Sequence, residues 1–195
     1  MRSLVALAGV AVLTAITGAC TTAEDNKVST TAAADDKKGT VVEWAGLTST
    51  APGSWKEETP SSNLRKGQFR ISKVEGDKDD AEVAIFLSPG GGGVEANLKR
   101  QVAAFQPADG KDKVGEKQDK IKVGPYDAVL LEVTGTFLKK PFPMAEKGTP
   151  VPGYKQIYVI FETKDGAVAS LWLRGPEKTV NANRKAFEEW VKAFK

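Results

Sequence analysis

Histidine is absent from all 195 residues, and cysteine occurs once, at Cys20. Without histidine the chain lacks the commonest general base and the imidazole ligand of most zinc, copper and haem sites. Ser-His and Cys-His nucleophile pairs are excluded with it. A single cysteine rules out an intramolecular disulfide, so any core must hold without one. Charge of one sign is also missing: 28 basic residues stand against 25 acidic ones, a formal +3 that falls to +2 once Arg2 is removed with a leader. Nucleic-acid binding calls for a clustered basic stretch, and none is present, so no nucleic acid is expected as a partner. Carboxylate, lysine and tyrosine chemistry remain. The expectation is a non-enzyme, with no catalytic residue, no metal ligand and no cofactor site.

The long apolar runs amount to one, residues 4–16, preceded by Arg2 and followed by Thr17-Gly18-Ala19-Cys20. A membrane span takes about 20 apolar residues, and this run is shorter. It matches the apolar core of a cleavable secretory signal. Small residues leading into a cysteine mark a lipoprotein cleavage site, although Thr17 stands where such sites usually carry Leu, Val or Ile. Residues 1–19 are therefore expected to be a signal peptide, and Cys20 the lipidated first residue of the mature chain. Ordinary cleavage after Ala19 is the alternative, and it leaves a lone thiol in an oxidising compartment.

Residues 20–40 are mostly Thr, Ala, Ser, Asp and Lys with almost no large apolar side chain. Such a stretch buries too little to offset its ordering entropy and reads as a flexible, lipid-anchored tether. Twenty coil residues span roughly 25 Å r.m.s., enough to clear lipid headgroups. The expected location is the cell envelope. Thr21, where an Asp would act as a retention signal, favours the outer membrane if the host has one.

Residues 41–195 read as one globular domain, large enough for a real core. Residues 41–44 and 47–51 look like strands leading into Pro52-Gly53. Phe69 and Ile71 alternate with polar neighbours, and residues 81–87 return as an apolar strand, which makes a hairpin. Its tip carries Asp77, Asp79, Asp80 and Glu82. A calcium loop begun at Asp77 fails at Ala81, Glu82 and Ser88, so the cluster is expected to be a solvated tip. Val94, Leu98, Val102 and Phe105 share one helical face. Before them Gly90, Gly91, Gly92 and Gly93 have the layout of a phosphate cradle. However, Glu95 stands where a dinucleotide fingerprint needs glycine, and its charge opposes an anion. A flexible connector is expected there.

Residues 106–119 read as a polar loop, 120–123 as a short strand, and 126–138 as a central strand with Val129-Leu130-Leu131 apolar on both faces. Residues 139–153 hold Pro141, Pro143, Pro150 and Pro152 and read as a long loop that presents Phe142 and Met144 to a partner. From residue 154 to 163, Ile157, Val159 and Phe161 fall on one face and Tyr158 and Ile160 on the other. Asp165-Gly166 is a hairpin turn. The strand after it is expected to stop at Gly175-Pro176. A final helix follows, capped by Asn181 or Asn183, with Ala186, Phe187, Trp190, Val191 and Phe194 buried.

The fold class is α+β: an antiparallel sheet with helices packed on it, like an α/β/α sandwich, ending in one amphipathic C-terminal helix. Four features resemble the PsbP-like photosystem extrinsic proteins, whose fold is shared with a Ran-binding import factor and with small bacterial lipoproteins of unknown function. These are the Gly-Leu-Thr to Ala-Pro-Gly-Ser-Trp pattern between Gly46 and Trp55, the helix after a hairpin, the Val-Gly-Pro-Tyr turn from Val123 to Tyr126, and the Asp-Gly hairpin feeding a helix near Phe194. The resemblance implies a fold but not photosystem chemistry, which in that family often involves the missing histidine. The expected function is a non-catalytic binding or accessory module of the bacterial cell envelope. Its expected partners are a membrane, through the lipid, and an envelope protein. The alternative is a small-ligand carrier or minimal enzyme with a pocket of Trp, Tyr and Phe between sheet and helix.

Overall fold

The computed structural model describes residues 38–141, 145 and 147–195. The chain is an α+β fold whose strand pairs are all antiparallel. It opens with a hairpin of β1 (Val41–Trp44) and β2 (Leu47–Thr50), which stands apart as its own two-stranded sheet. The main sheet is built from β3 (Lys56–Glu57), β4 (Arg65–Ile71), β5 (Ala81–Pro89), β6 (Phe105–Gln106), β7 (Gly115–Val123), β8 (Tyr126–Lys139), β9 (Thr149–Glu162) and β10 (Ala167–Pro176). Helix α1 (Gly93–Val102) lies between β5 and β6 in the chain, and α2 (Glu177–Lys192) follows β10. Across the sheet the order is β3-β4-β5-β10-β9-β8-β6, with β7 also against β8.

The period-2 pattern of β9 decides the layering. Ile157, Val159 and Phe161 enter one buried cluster, shared with Phe187, Trp190, Val191 and Phe194 from α2 and its end, and with Val42, Trp44 and Leu47 from the β1–β2 hairpin. Tyr158 and Ile160 enter a second cluster with Leu98 of α1 and with Leu131 and Val133 of β8. The sheet is thus sandwiched, with α2 and the first hairpin on one face and α1 on the other. Each fully buried aliphatic or aromatic side chain contributes about 2–3 kcal/mol.

Strand β10 ends at Gly175-Pro176, as expected, but includes them. Both residues stay in the ladder, opposite Lys155 and Tyr154 of β9. A Cβ on Gly175 would sit 2.6 Å from the Ala81 Cβ, so the glycine is there to let two backbones approach. The chain then turns directly into α2, with Pro176 as a cap residue that offers no side-chain bond.

Neither Asn181 nor Asn183 caps α2. Asn181 accepts a bond from Lys155 at 2.9 Å, and Asn183 donates back to the Thr179 carbonyl. The cap comes from the β4–β5 loop. Asp77 Oδ2 accepts from the Thr179 N–H at 2.8 Å and from its hydroxyl at 2.6 Å, and that hydroxyl accepts from the Val74 N–H at 3.1 Å. A carboxylate 102 residues away thus satisfies one of the orphan donors and complements the helix dipole. Asp77→Ala is expected to cost about 1–2 kcal/mol, read as a lower denaturation midpoint with an unchanged slope. Ala substitutions at Asn181 or Asn183 that cost as much would remove Asp77 from this role.

Three further boundaries differ from expectation. Helix α1 ends at Val102, and Phe105 pairs as β6 with Phe137, because the long β8 offers an edge that captures it. Strand β7 begins at Gly115 and takes up residues 115–119 of the expected loop. Strand β9 begins at Thr149, with Pro150 opposite Leu138, so the connection shrinks to residues 140–148. Prolines are tolerated at 150 and 152 because β10 pairs β9 only from Tyr154 onward, which leaves that end of β9 with one free edge.

Candidate functional site

Cys20, Phe142 and Met144 lie outside the described residues. Of the four carboxylates of the hairpin tip, Asp79 and Asp80 are exposed, as expected of a solvated tip, whereas Asp77 and Glu82 are half-buried. Asp77 caps α2, Asp79 accepts from the Tyr154 hydroxyl at 3.1 Å, and Asp80 accepts from the Lys73 N–H at 3.0 Å. Glu82 points onto the α1 side of the sheet. Nor is the glycine run a free connector. Gly90, Gly92 and Gly93 take φ of 66°, 79° and 75°, a region that favours glycine. The buried Asn97 amide donates to the carbonyls of Gly91 at 2.8 Å and Gly93 at 2.7 Å, and Arg100 holds that amide through its oxygen. The turn is tied to the helix that it starts.

On the α1 side, α1 lies over β8 and β9. The part of the face formed by β4, β5 and β10 is layered instead by planar side chains. The small residues Ala84 and Ser170 alternate there with Phe86 and Trp172, whose rings meet at 4.5 Å. The Arg174 guanidinium sits 4.3 Å from the Trp172 ring and 4.4 Å from that of Phe137. Phe137 stacks in turn on Tyr154 at 5.8 Å. Arg65 lies 5.6 Å from the Trp172 ring. Glu82 joins the two cations, 2.9 Å from Arg65 and 2.8 Å from Arg174. Both arginine side chains are only about 15% exposed, so Glu82 is their main compensation.

This face sets the acid–base character of its groups. Burial pushes the Glu82 carboxyl up, but its bond to Arg65 and the charges of Arg174 and Arg65 outweigh that and hold it below the ordinary carboxylate range. Burial, then the bond to Asp79 and its charge, push Tyr154 up to about 12. Among the described residues the indole N–H of Trp172 and the amide oxygen of Gln156 are buried without partners.

The opposite face holds a second charged knot. Glu132 of β8 meets Lys155 at 3.0 Å and both ends of the Arg184 guanidinium, and Arg184 also reaches Glu188 at 2.7 Å. Burial again raises the Glu132 carboxyl, and the bonds from Arg184 and Lys155 overcome it, leaving it below its usual range. The knot pins α2 to the sheet. Beside it the aromatic residues are interlocked: Trp190 lies 5.2 Å from Trp55 and from Phe194, and Trp55 lies 6.2 Å from Phe69. The rings that a carrier pocket would need are packed on one another.

Two clefts flank β7, each between that strand and a helix. The one on the α2 side has a volume near 250 Å³, with Ile121, Leu130 and Phe187 beneath a charged rim. The one on the α1 side, near 440 Å³, runs between Leu98 and Val102 of α1 and Glu116 and Gln118 of β7. The β5–β10 pairing, the charged knots and the clefts were not visible to sequence reasoning. The available signal was charge on the inward parity of a strand, at Glu82, Glu132 and Arg174.

No family model matches the chain, and no curated protein does. Solved structures are similar to it. A cyanobacterial PsbP (CyanoP) from Synechocystis sp. PCC 6803 is 11% identical over 81% of this chain and 92% of its own, with a TM-score of 0.49. LpqN of Mycobacterium tuberculosis, described as involved in cell envelope biogenesis, is 14% identical over 82% of this chain and 86% of its own, with a TM-score of 0.47. The protein of unknown function PA94 from Pseudomonas aeruginosa is 15% identical over 80% of this chain and 94% of its own, with a TM-score of 0.44. These likenesses assign the chain no activity.

Proposed function

We propose that this chain is a non-catalytic binding or accessory module of the bacterial cell envelope. In this reading residues 1–19 export it, a lipid on Cys20 anchors it, and residues 20–40 hold residues 41–195 away from the membrane surface. The observation that carries the non-catalytic part is the state of the titratable groups. A sequence without histidine leaves carboxylates, lysines and tyrosines for acid–base work. The two carboxylates built into the sheet faces, Glu82 and Glu132, are both held more acidic than usual, and Tyr154 is pushed up to about 12. An acid–base catalyst needs a group poised near the working pH, which is the opposite arrangement.

The anchor rests on the apolar run and on the solitary Cys20 that ends it. Mass spectrometry of the N-terminus extracted from membranes is expected to find Cys20 as the first residue, carrying acyl chains. Cys20→Ala is expected to move the protein into the soluble fraction. A mature N-terminus at Cys20 with no added mass would overturn the anchor. Photoreactive residues at positions 142 and 144 are expected to crosslink an envelope protein in intact cells, and a pattern unchanged from that of an uncoupled control would remove the loop from the reading.

A further inference from the structure

Strand β7 is an unpaired edge. Among the described residues its one partner is β8, in a continuous register from Gly115 opposite Thr134 to Val123 opposite Tyr126. Only two residues lie between Val123 and Tyr126, so this closing pair exchanges hydrogen bonds, and the odd-numbered residues of β7 face β8. The backbone groups of Glu116, Gln118, Lys120 and Lys122 therefore point outward. One cleft lies between β7 and α2 on one side of the sheet, and the other between β7 and α1 on the opposite side.

The residues on the edge carry a pattern that a merely protective edge does not need. Lysines of one sign along a strand repel any second copy. Here the order is Glu116-Lys117-Gln118-Asp119-Lys120, which is self-complementary about Gln118. An antiparallel copy centred on Gln118 sets Glu116 against Lys120, Lys117 against Asp119, and Gln118 against its own counterpart. Each contact occurs twice, as an isologous two-fold interface requires. The centre is also an outward-facing residue, as a hydrogen-bonded central pair demands. Other registers are worse. Moving the axis by one residue sets Lys117 against Lys117 or Asp119 against Asp119, and moving it by two sets Glu116 or Lys120 against itself. In the single chain these side chains turn on their own neighbours instead: Lys117 reaches Asp119 at 2.6 Å, and Gln118 donates to Glu116 at 2.9 Å. Glu116, Lys117, Gln118 and Lys120 are exposed, so the exchange of partners disturbs no core.

We propose that two copies of this chain associate through β7, antiparallel about Gln118, to form one continuous sheet across the dimer. Lys117 and Asp119 set the register on the α2 side, and Glu116 and Lys120 set it on the α1 side.

The test is light scattering and sedimentation of the full chain in detergent from micromolar to millimolar concentration. The wild-type chain is expected to form dimers. Lys117→Glu sets like charges against Asp119 of the second copy, and Asp119→Lys does the same against Lys117, so each single variant is expected to weaken association about tenfold or more. Mixing the two single variants pairs opposite charges again and is expected to restore the dimer, as is the double variant K117E/D119K. In a Cys20→Ser background, Gln118→Cys is expected to form an interchain disulfide on mild oxidation. Circular dichroism checks that each variant is folded. A wild-type chain that stays monomeric across the range overturns the proposal. So does a dimer that neither single charge reversal weakens, since it must use another surface.

Discussion

Trp190→Ala is expected to lose about 3–5 kcal/mol of folding stability, which for a domain of this size is about 10 °C in Tm. Trp190 is 3% exposed and meets four aromatic rings, those of Trp55, Phe69, Phe187 and Phe194. Its carbonyl also accepts from the Ser49 hydroxyl at 3.1 Å, tying α2 to the first hairpin. Truncation leaves a void walled by rigid rings that cannot collapse into it. Trp190→Phe separates packing from polarity. The indole N–H has no acceptor among the described residues, so the phenyl ring removes an orphan donor while keeping most of the volume. Its cost is expected to be about 1–2 kcal/mol. Urea denaturation of both variants checks this, and a Trp190→Ala loss below about 1 kcal/mol would contradict the packing account.

The second large effect is at Glu82. Glu82→Gln keeps the shape of the side chain and leaves the Arg65 and Arg174 guanidinium groups side by side without their carboxylate. Removing one partner from a buried charged set costs about 3–5 kcal/mol; with Glu82 still 31% exposed, about 3 kcal/mol is expected. Replacing all three charges together, as R65M/E82L/R174M, is expected to cost less than the single change, because no uncompensated charge remains. A triple variant less stable than Glu82→Gln would show that the ion pairing itself, with the stacking on Trp172, is the larger contribution.

The same two carboxylates set the acid limb of stability. Glu82 and Glu132 are more acidic in the fold than in the unfolded chain. Their contribution is therefore complete above the unfolded carboxylate value of about 4.3 and is lost as pH falls through the lower folded values. Denaturation midpoints should hold between about pH 6 and 8 and drop below about pH 4, with a shallower drop in Glu82→Gln.

How much of this was legible in the chain depends on the range of the interaction. The split of Ile157, Val159 and Phe161 from Tyr158 and Ile160 follows from period 2 alone, and the structure puts the two sets in separate cores. The stripe from Phe187 to Phe194 is equally local. Phe105 fitted the helical face of Val94, Leu98 and Val102, yet it left the helix because β8 offered it a strand partner. The cap of α2 was sought nearby, at Asn181 or Asn183, but it came from Asp77 across the fold. The Glu82–Arg174 pair spans 92 residues. Only the β5–β10 register brings the two together, and period 2 says nothing of which strands are neighbours.

That register has a consequence in time. Strand β5 lies between β4 and β10, and β10 is made after four other strands and a helix. At common rates of protein synthesis, the 92 residues between Glu82 and Arg174 take roughly 5–20 s to emerge. For that interval β5 keeps its β10 side open, with only β3 and β4 beside it in the sheet, while Phe69, Ile71 and Val83 await the ring stack of α2. A growing chain thus cannot close its core early.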